Sequence, residues 1–197
     1  LKKGGGKLKG SKYERDICRI LSKWLTGKTD PVAFWRSASS GAQATQMGKT
    51  GKESNQQGDI KGATEEAIFI TDRIYFECKS YANWNLDCLI CDDRKGVIKE
   101  WLNKLFIEAS SVIKIPWLIF KRNSSTNYIC IEDSVVSRLI KNKANLQSGF
   151  IMFNFYVPEG LISLSIYRLD FFLSQVTPGI LRKTLKGLTR YGKQSKS

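Results

Sequence analysis

Glu77 and Lys79 stand two residues apart in Ile74–Lys79 (IYFECK), a stretch otherwise made of apolar and aromatic residues and one cysteine. Its composition and length read as a β-strand. Alternate side chains of a strand share a face, so Tyr75, Glu77 and Lys79 point one way and Ile74, Phe76 and Cys78 the other. Charged side chains on a buried or half-buried strand are costly unless they have partners. Whatever fold this chain adopts must therefore bring other polar groups to that strand.

Two acids upstream answer the requirement. Asp59, in Gly58-Asp59-Ile60, opens a short apolar piece and reads as the start of a strand. Two carboxylates, with the backbone carbonyl of Cys78 between them, make a hard, oxygen-only nest suited to Mg²⁺, with Mn²⁺ as a substitute. Such a cation polarises a phosphate and lowers the pKa of a bound water, and Lys79 would orient that water or stabilise charge on phosphorus. Glu14 lies in Lys9–Arg15 (KGSKYER) ahead of an apolar helical stripe of Tyr13, Ile17, Ile20, Leu21 and Trp24. On the helical wheel it flanks that stripe and faces the sheet. Ser11 to Glu14 also fits a capping box, so Glu14 has two available roles, cap and ligand.

The remaining periodicity orders the elements. A helix is expected from Ser11 to about Leu25, a strand over Val32–Ser37, and a polar loop over 38–58. Short strand pieces are expected at Asp59–Lys61 and Ala67–Thr71, followed by the Ile74–Lys79 strand and a mixed loop over 80–94. Gly96 to about Lys114 carries a long amphipathic stripe, with Pro116 as its stop. Trp117–Lys121 and Tyr128–Ile131 read as a hairpin, Asp133–Lys141 as a short helix and Phe150–Val157 as an apolar strand. A mixed segment runs on to Val176. Helices and strands in this order predict an α/β layer with a mixed central sheet, since the early connections are too short for a wholly parallel one.

Charge says what such a site would meet. The chain carries 32 Lys and Arg against 18 Asp and Glu. Residues 1–28 hold nine cations and two acids, and residues 181–197 six cations and no acid, so both ends are basic and the middle is nearly neutral. Basic ends of this kind lie along nucleic-acid phosphates in a salt-sensitive manner. The sequence has no histidine. That excludes Ser-His-Asp and Cys-His catalysis and zinc hydrolysis through imidazole. Five scattered cysteines do not form a disulfide framework, and the lone Cys88-x-x-Cys91 lacks the two further ligands a zinc site needs. A cytoplasmic, DNA-associated protein with no membrane contact and no small-molecule cofactor is the expectation.

Together, Lys9–Arg15 with its helix, Arg36–Gly41 (RSASSG), Asp59-Ile60 and Phe76–Ser80 (FECKS) resemble the PD-(D/E)xK nuclease superfamily, and within it the archaeal-type Holliday junction resolvases. The resemblance spans about residues 9–121, with Gly rather than Pro before Asp59. It implies a restriction-endonuclease-like core in which Glu14, Asp59 and Glu77 hold the metal, Lys79 serves catalysis, and Ser40 contacts DNA or the reacting phosphate. It further implies a homodimer acting on branched DNA.

On this reading residues 1–10 are a flexible basic lead, 11–131 the nuclease core, 132–180 a C-terminal extension packed on the core, and 181–197 a basic tail. Lys9, Lys12, Arg15 and Arg36 are expected along DNA. Lys49 and Lys52 either touch DNA or solvate their loop. Trp84, in a polar loop just past the site, is a candidate for stacking on a base. Two alternatives stand beside the resolvase: another nuclease of the superfamily, of restriction or replication type, and a non-catalytic basic DNA-binding protein whose Glu77 and Lys79 are a structural ion pair.

Overall fold

The computed structural model describes residues 5–28, 32–37, 58–90, 96–123, 125–158 and 160–188. The chain runs α1 (Gly5–Thr26), β1 (Phe34–Arg36), β2 (Ile60–Gly62), α2 (Glu65–Thr71), β3 (Ile74–Tyr81), α3 (Asp87–Ile90), α4 (Val97–Ser111), β4 (Ile115–Arg122), β5 (Asn127–Glu132), α5 (Asp133–Lys141), β6 (Phe150–Val157), β7 (Gly160–Arg168), α6 (Leu169–Gln175) and α7 (Pro178–Lys186). Five strands form one mixed sheet in the order β3-β4-β5-β7-β6. β3 and β4 are parallel, joined through α4, and the other neighbours are antiparallel. β1 and β2 form a separate antiparallel pair. This is the expected α/β class with a restriction-endonuclease-like layered core.

Strand alternation divides the interior. Ile74, Phe76 and Cys78 of β3, with Trp117 and Ile119 of β4, face a cluster completed by Tyr13, Ile17 and Leu21 of α1, Val136 and Leu139 of α5, Phe172 of α6 and Leu181 and Leu185 of α7. Tyr75, Leu118 and Phe120 face the opposite cluster, built by Ile98, Leu102, Leu105 and Phe106 of α4 with Phe153 and Phe155 of β6. Helices thus cover both faces, and β3 places Phe76 and Glu77 on opposite sides of the sheet. Among the described residues no helix is long and apolar enough to cross a membrane.

Several expectations are corrected. α1 begins at Gly5, so residues 5–10 are helical rather than a flexible lead, and Ser11 lies inside the helix. Adding a residue to an existing helix costs far less than nucleating one, which lets the helix extend upstream. Glu14 is consequently not a capping residue. Ala67–Thr71 is helix, not strand: Thr64 accepts from the Ala67 N–H as N-cap, Glu65 and Glu66 occupy the first turn, and Ala67, Ile70 and Thr71 are buried at helical spacing. α4 ends at Ser111 through Ile113, whose φ is +58°, with the Lys114 N–H donating to the Ala109 carbonyl at 3.0 Å. That six-residue closure is a helix-terminating motif normally given to glycine. Pro116 lies inside β4, before the ladder with β5 begins at Leu118.

The mixed segment after Val157 is β7 followed by α6, and β7 sits between β5 and β6. β6 and β7, both beyond residue 131, therefore complete the same sheet. Lys183 and Lys186, expected in a tail, lie on α7, whose Leu181, Thr184 and Leu185 are buried.

Candidate functional site

Three hydrogen bonds fasten Asp59, two of them to β3 and one to Ser37 just past β1. Its N–H donates to the Phe76 carbonyl at 2.8 Å, its own carbonyl accepts from the Ser37 N–H at 2.9 Å, and its Oδ2 accepts from the Cys78 N–H at 2.7 Å. The residue before it, Gly58, has φ +91°, and a Cβ there would stand 3.0 Å from the Phe76 carbonyl oxygen. Glycine is thus demanded by the close approach that delivers Asp59, and proline, locked near −65°, cannot take this conformation.

Glu77 follows from the alternation of β3. It is 5 % exposed and Asp59 is 7 % exposed. Lys79, on the same face of the strand, is ion-paired through Nζ to Glu77 Oε1. Burial works against the ammonium, but the Glu77 carboxylate and its hydrogen bond outweigh it, so the Lys79 pKa is raised and the side chain stays charged. The Asp59 carboxyl is pushed up to about 7, first by burial and then by repulsion from Glu77. The Cys78 N–H opposes this, and Glu14 adds to it. Burial and the neighbouring Glu77 thus favour a proton on Asp59.

Glu14 enters the same neighbourhood from α1. It is buried, and its Oε2 accepts from Arg36 Nε of β1. Ser22, also buried on α1, holds β1 in place: its Oγ accepts from the Ala33 N–H at 3.1 Å and the Phe34 N–H at 3.0 Å. The start of β1 is thereby sewn to the helix, and Arg36 arrives opposite Glu14.

These carboxylates fit a hard divalent cation in donor chemistry: oxygen atoms only, partly uncompensated, with no imidazole. Glu14 and Glu77 each engage a side-chain cation, and among the described residues no three acidic or thiol groups converge closely enough to hold one ion together. Glu77 and Glu14 are each near enough to act on the Asp59 carboxyl, and Lys79 and Arg36 are paired to them.

Of the other expected residues, Lys12 and Arg15 lie exposed on α1. Arg36 is engaged by Glu14 rather than free for phosphate. Trp84 is packed, not splayed: its Nε1 donates to the Lys121 carbonyl at 3.1 Å, and its ring meets Phe120 and Tyr128 edge-on. Ser40, Lys49 and Lys52 lie outside the described residues, as does the Lys9 side chain. Two features escaped sequence reasoning. One is the Glu14–Arg36 ion pair, which no spacing rule encodes. The other is Lys121, whose ammonium sits 4.7 Å from the centre of the Tyr13 ring and whose backbone pairs with Ser80, one residue past Lys79.

A family model described as "Phage putative PDDEXK endonuclease" matches residues 5–183. Nothing matches among curated proteins or among solved structures.

Proposed function

Since the chain belongs to the phage putative PDDEXK endonuclease family, we propose that it is a Mg²⁺-dependent, structure-selective DNA endonuclease that resolves four-way junctions by paired nicks, acting in the cytoplasm as a homodimer. The observation that carries the chemistry is the coupling of buried Asp59 and Glu77 on either side of the Cys78 peptide, with charged Lys79 on the same strand face. Asp59, Glu77, Glu14 and the Cys78 carbonyl would hold the metal, for which Mn²⁺ is an alternative. The bound ion supplies Lewis acidity toward phosphate and a more acidic water.

The protein's own groups do the rest. The Cys78 N–H fixes one oxygen of Asp59 and leaves the other to a ligand. Lys79 carries a proton at neutral pH, so it stabilises the extra charge of the pentacovalent phosphorus and directs the attacking water. Arg36 balances Glu14, which keeps a third carboxylate buried without adding its full repulsion to Asp59. Ser40 would contact the phosphate. Lys12 and Arg15 with the basic ends would track the backbone, reading shape rather than sequence.

A second reading is favoured by the two ion pairs as they stand: a non-catalytic DNA-binding protein in which Glu14–Arg36 and Glu77–Lys79 are structural. Labelled junction, fork and linear duplex incubated with Mg²⁺ or with chelator separate them. Mg²⁺-dependent cutting of the junction in preference to the duplex is expected. Cutting of all three at one rate would keep the nuclease and remove the junction specificity. Binding with no cutting would leave the second reading.

A further inference from the structure

β6 is an outer strand of the sheet, paired over all eight residues to β7 on one side and to no described strand on the other. Natural edge strands are protected by charge, proline, bulges or shortness. This one has none of those devices. No charged residue occurs between Lys143 and Glu159, in a chain where a quarter of residues are charged. Phe150, Ile151, Met152 and Tyr156, with Leu161 beside Tyr156 on β7, are between 38 % and 76 % exposed. All but Ile151 share one sheet face, opposite to the one that buries Phe153 and Phe155 in the α4 cluster.

We propose that β6 is the dimerisation surface of the protein and that its occupant is β6 of a second copy, paired antiparallel across a two-fold axis. The inference rests on the homodimer reading above and adds its surface. Charge selects the second copy. The chain carries a net charge of +14, and this uncharged edge lets two copies meet with no like charges opposed at the seam. Antiparallel pairing of one strand with itself is self-complementary, as a two-fold interface requires.

Size agrees as well. At ~150–250 Å² for a large side chain, the exposed parts of these five residues come to on the order of 500 Å². With the backbone edge they approach the ~800 Å² per partner of an ordinary stable interface.

Register follows from the pleat. Opposed residues must share a sheet face, so the axis passes through a residue and not between two. Centring it on Asn154 sets Met152 against Tyr156 of the other copy in both directions. Asn154 then meets its own twin, its amide already positioned by the Ser163 hydroxyl at 2.9 Å. The product is a ten-stranded sheet with β3 of each copy at the two far ends. Nine interstrand steps of ~4.8 Å place the two Glu77–Lys79 sites about 43 Å apart.

Sedimentation without DNA or metal tests this in three proteins. The parent should have twice the 22.3 kDa of one chain at micromolar concentration. The variant M152K/Y156K, which sets lysine against lysine at two exposed positions, should sediment as monomer with the parent's far-UV spectrum. Asn154→Cys should give a covalent dimer on mild oxidation. A monomeric parent would overturn the homodimer reading itself. A parent dimer that survives M152K/Y156K, or an Asn154→Cys protein that does not cross-link, would overturn β6 as its surface.

Discussion

The Cys78 N–H donates to Asp59 Oδ2 at 2.7 Å, tying a loop carboxylate to the strand residue between Glu77 and Lys79. This bond makes Asp59 and Glu77 neighbours although eighteen positions separate them in sequence. Substituting Asp59→Asn or Glu77→Gln keeps shape and volume while removing charge. Each should lower the rate of DNA cutting by at least ~10³-fold, about 4 kcal/mol of transition-state stabilisation at ~1.4 kcal/mol per decade. Binding to the same DNA in chelator should change little. Gel-shift titration beside single-turnover cleavage reads both quantities, and a variant that still cuts within tenfold of the parent contradicts the assignment.

The same carboxylate sets a pH dependence on the metal-free protein. Asp59 holds its proton up to about 7 in the fold, whereas in the unfolded chain it ionises near the ordinary aspartate range of ~4. Between those values the folded state binds more protons than the unfolded one, so stability falls as pH rises through the window and levels off above it. Thermal melts in chelator should therefore give a lower Tm at pH 8 than at pH 5. Asp59→Asn, which cannot ionise, should flatten that difference, and Mg²⁺ should raise the parent's Tm most at pH 8. An equal pH slope in parent and Asp59→Asn would show that Asp59 is not the group responsible.

Gly62 is where β2 touches α2. A Cβ there would lie 2.3 Å from the Ile68 nitrogen and 2.4 Å from the Ala67 carbonyl carbon, both backbone atoms with no room to yield. Gly62→Ala should cost about 1–3 kcal/mol by overpacking and displace the strand that Asp59 introduces. Urea denaturation should show the loss directly. At Gly27, where a Cβ meets nothing but φ is +68°, Ala should cost less, about 1 kcal/mol from backbone strain alone.

What was legible in the sequence was whatever one element dictates by itself. The alternation in β3, the apolar stripe of α4, and the bounds of α5 and β6 follow from local periodicity, and the structure repeats them. Ala67–Thr71 failed because five mostly apolar residues suit a strand or one face of a helix equally, and the Thr64 cap with two acids decides for helix. The placement of β7 between β5 and β6 depends on non-local pairing that no window contains. At the site, Glu77 and Lys79 were readable because a charged pair on an apolar strand is locally inconsistent. Arg36 was read as a DNA contact because its partner, Glu14, lies on another element, brought near by the Ser22 hydroxyl. Trp84 looked available because its loop is polar, yet its ring fills a gap over Phe120 and Tyr128.

Lys183 and Lys186 show how the corrected fold changes an experiment. Deleting the chain from 183 onward would remove Thr184 and Leu185, the buried residues of α7's second half, and would confuse unfolding with lost binding. Lys183 and Lys186 themselves are exposed, so replacing both by glutamine leaves the packed face intact. If each neutralises one phosphate, the slope of log affinity against log salt should shrink by about 0.9 per residue, close to two for the pair on duplex arms. Affinity at low salt should fall while unfolding stability stays within about 0.5 kcal/mol of the parent's, as is usual for exposed substitutions. Fluorescence anisotropy across a salt series measures the slope, and an unchanged slope would place the DNA path away from α7.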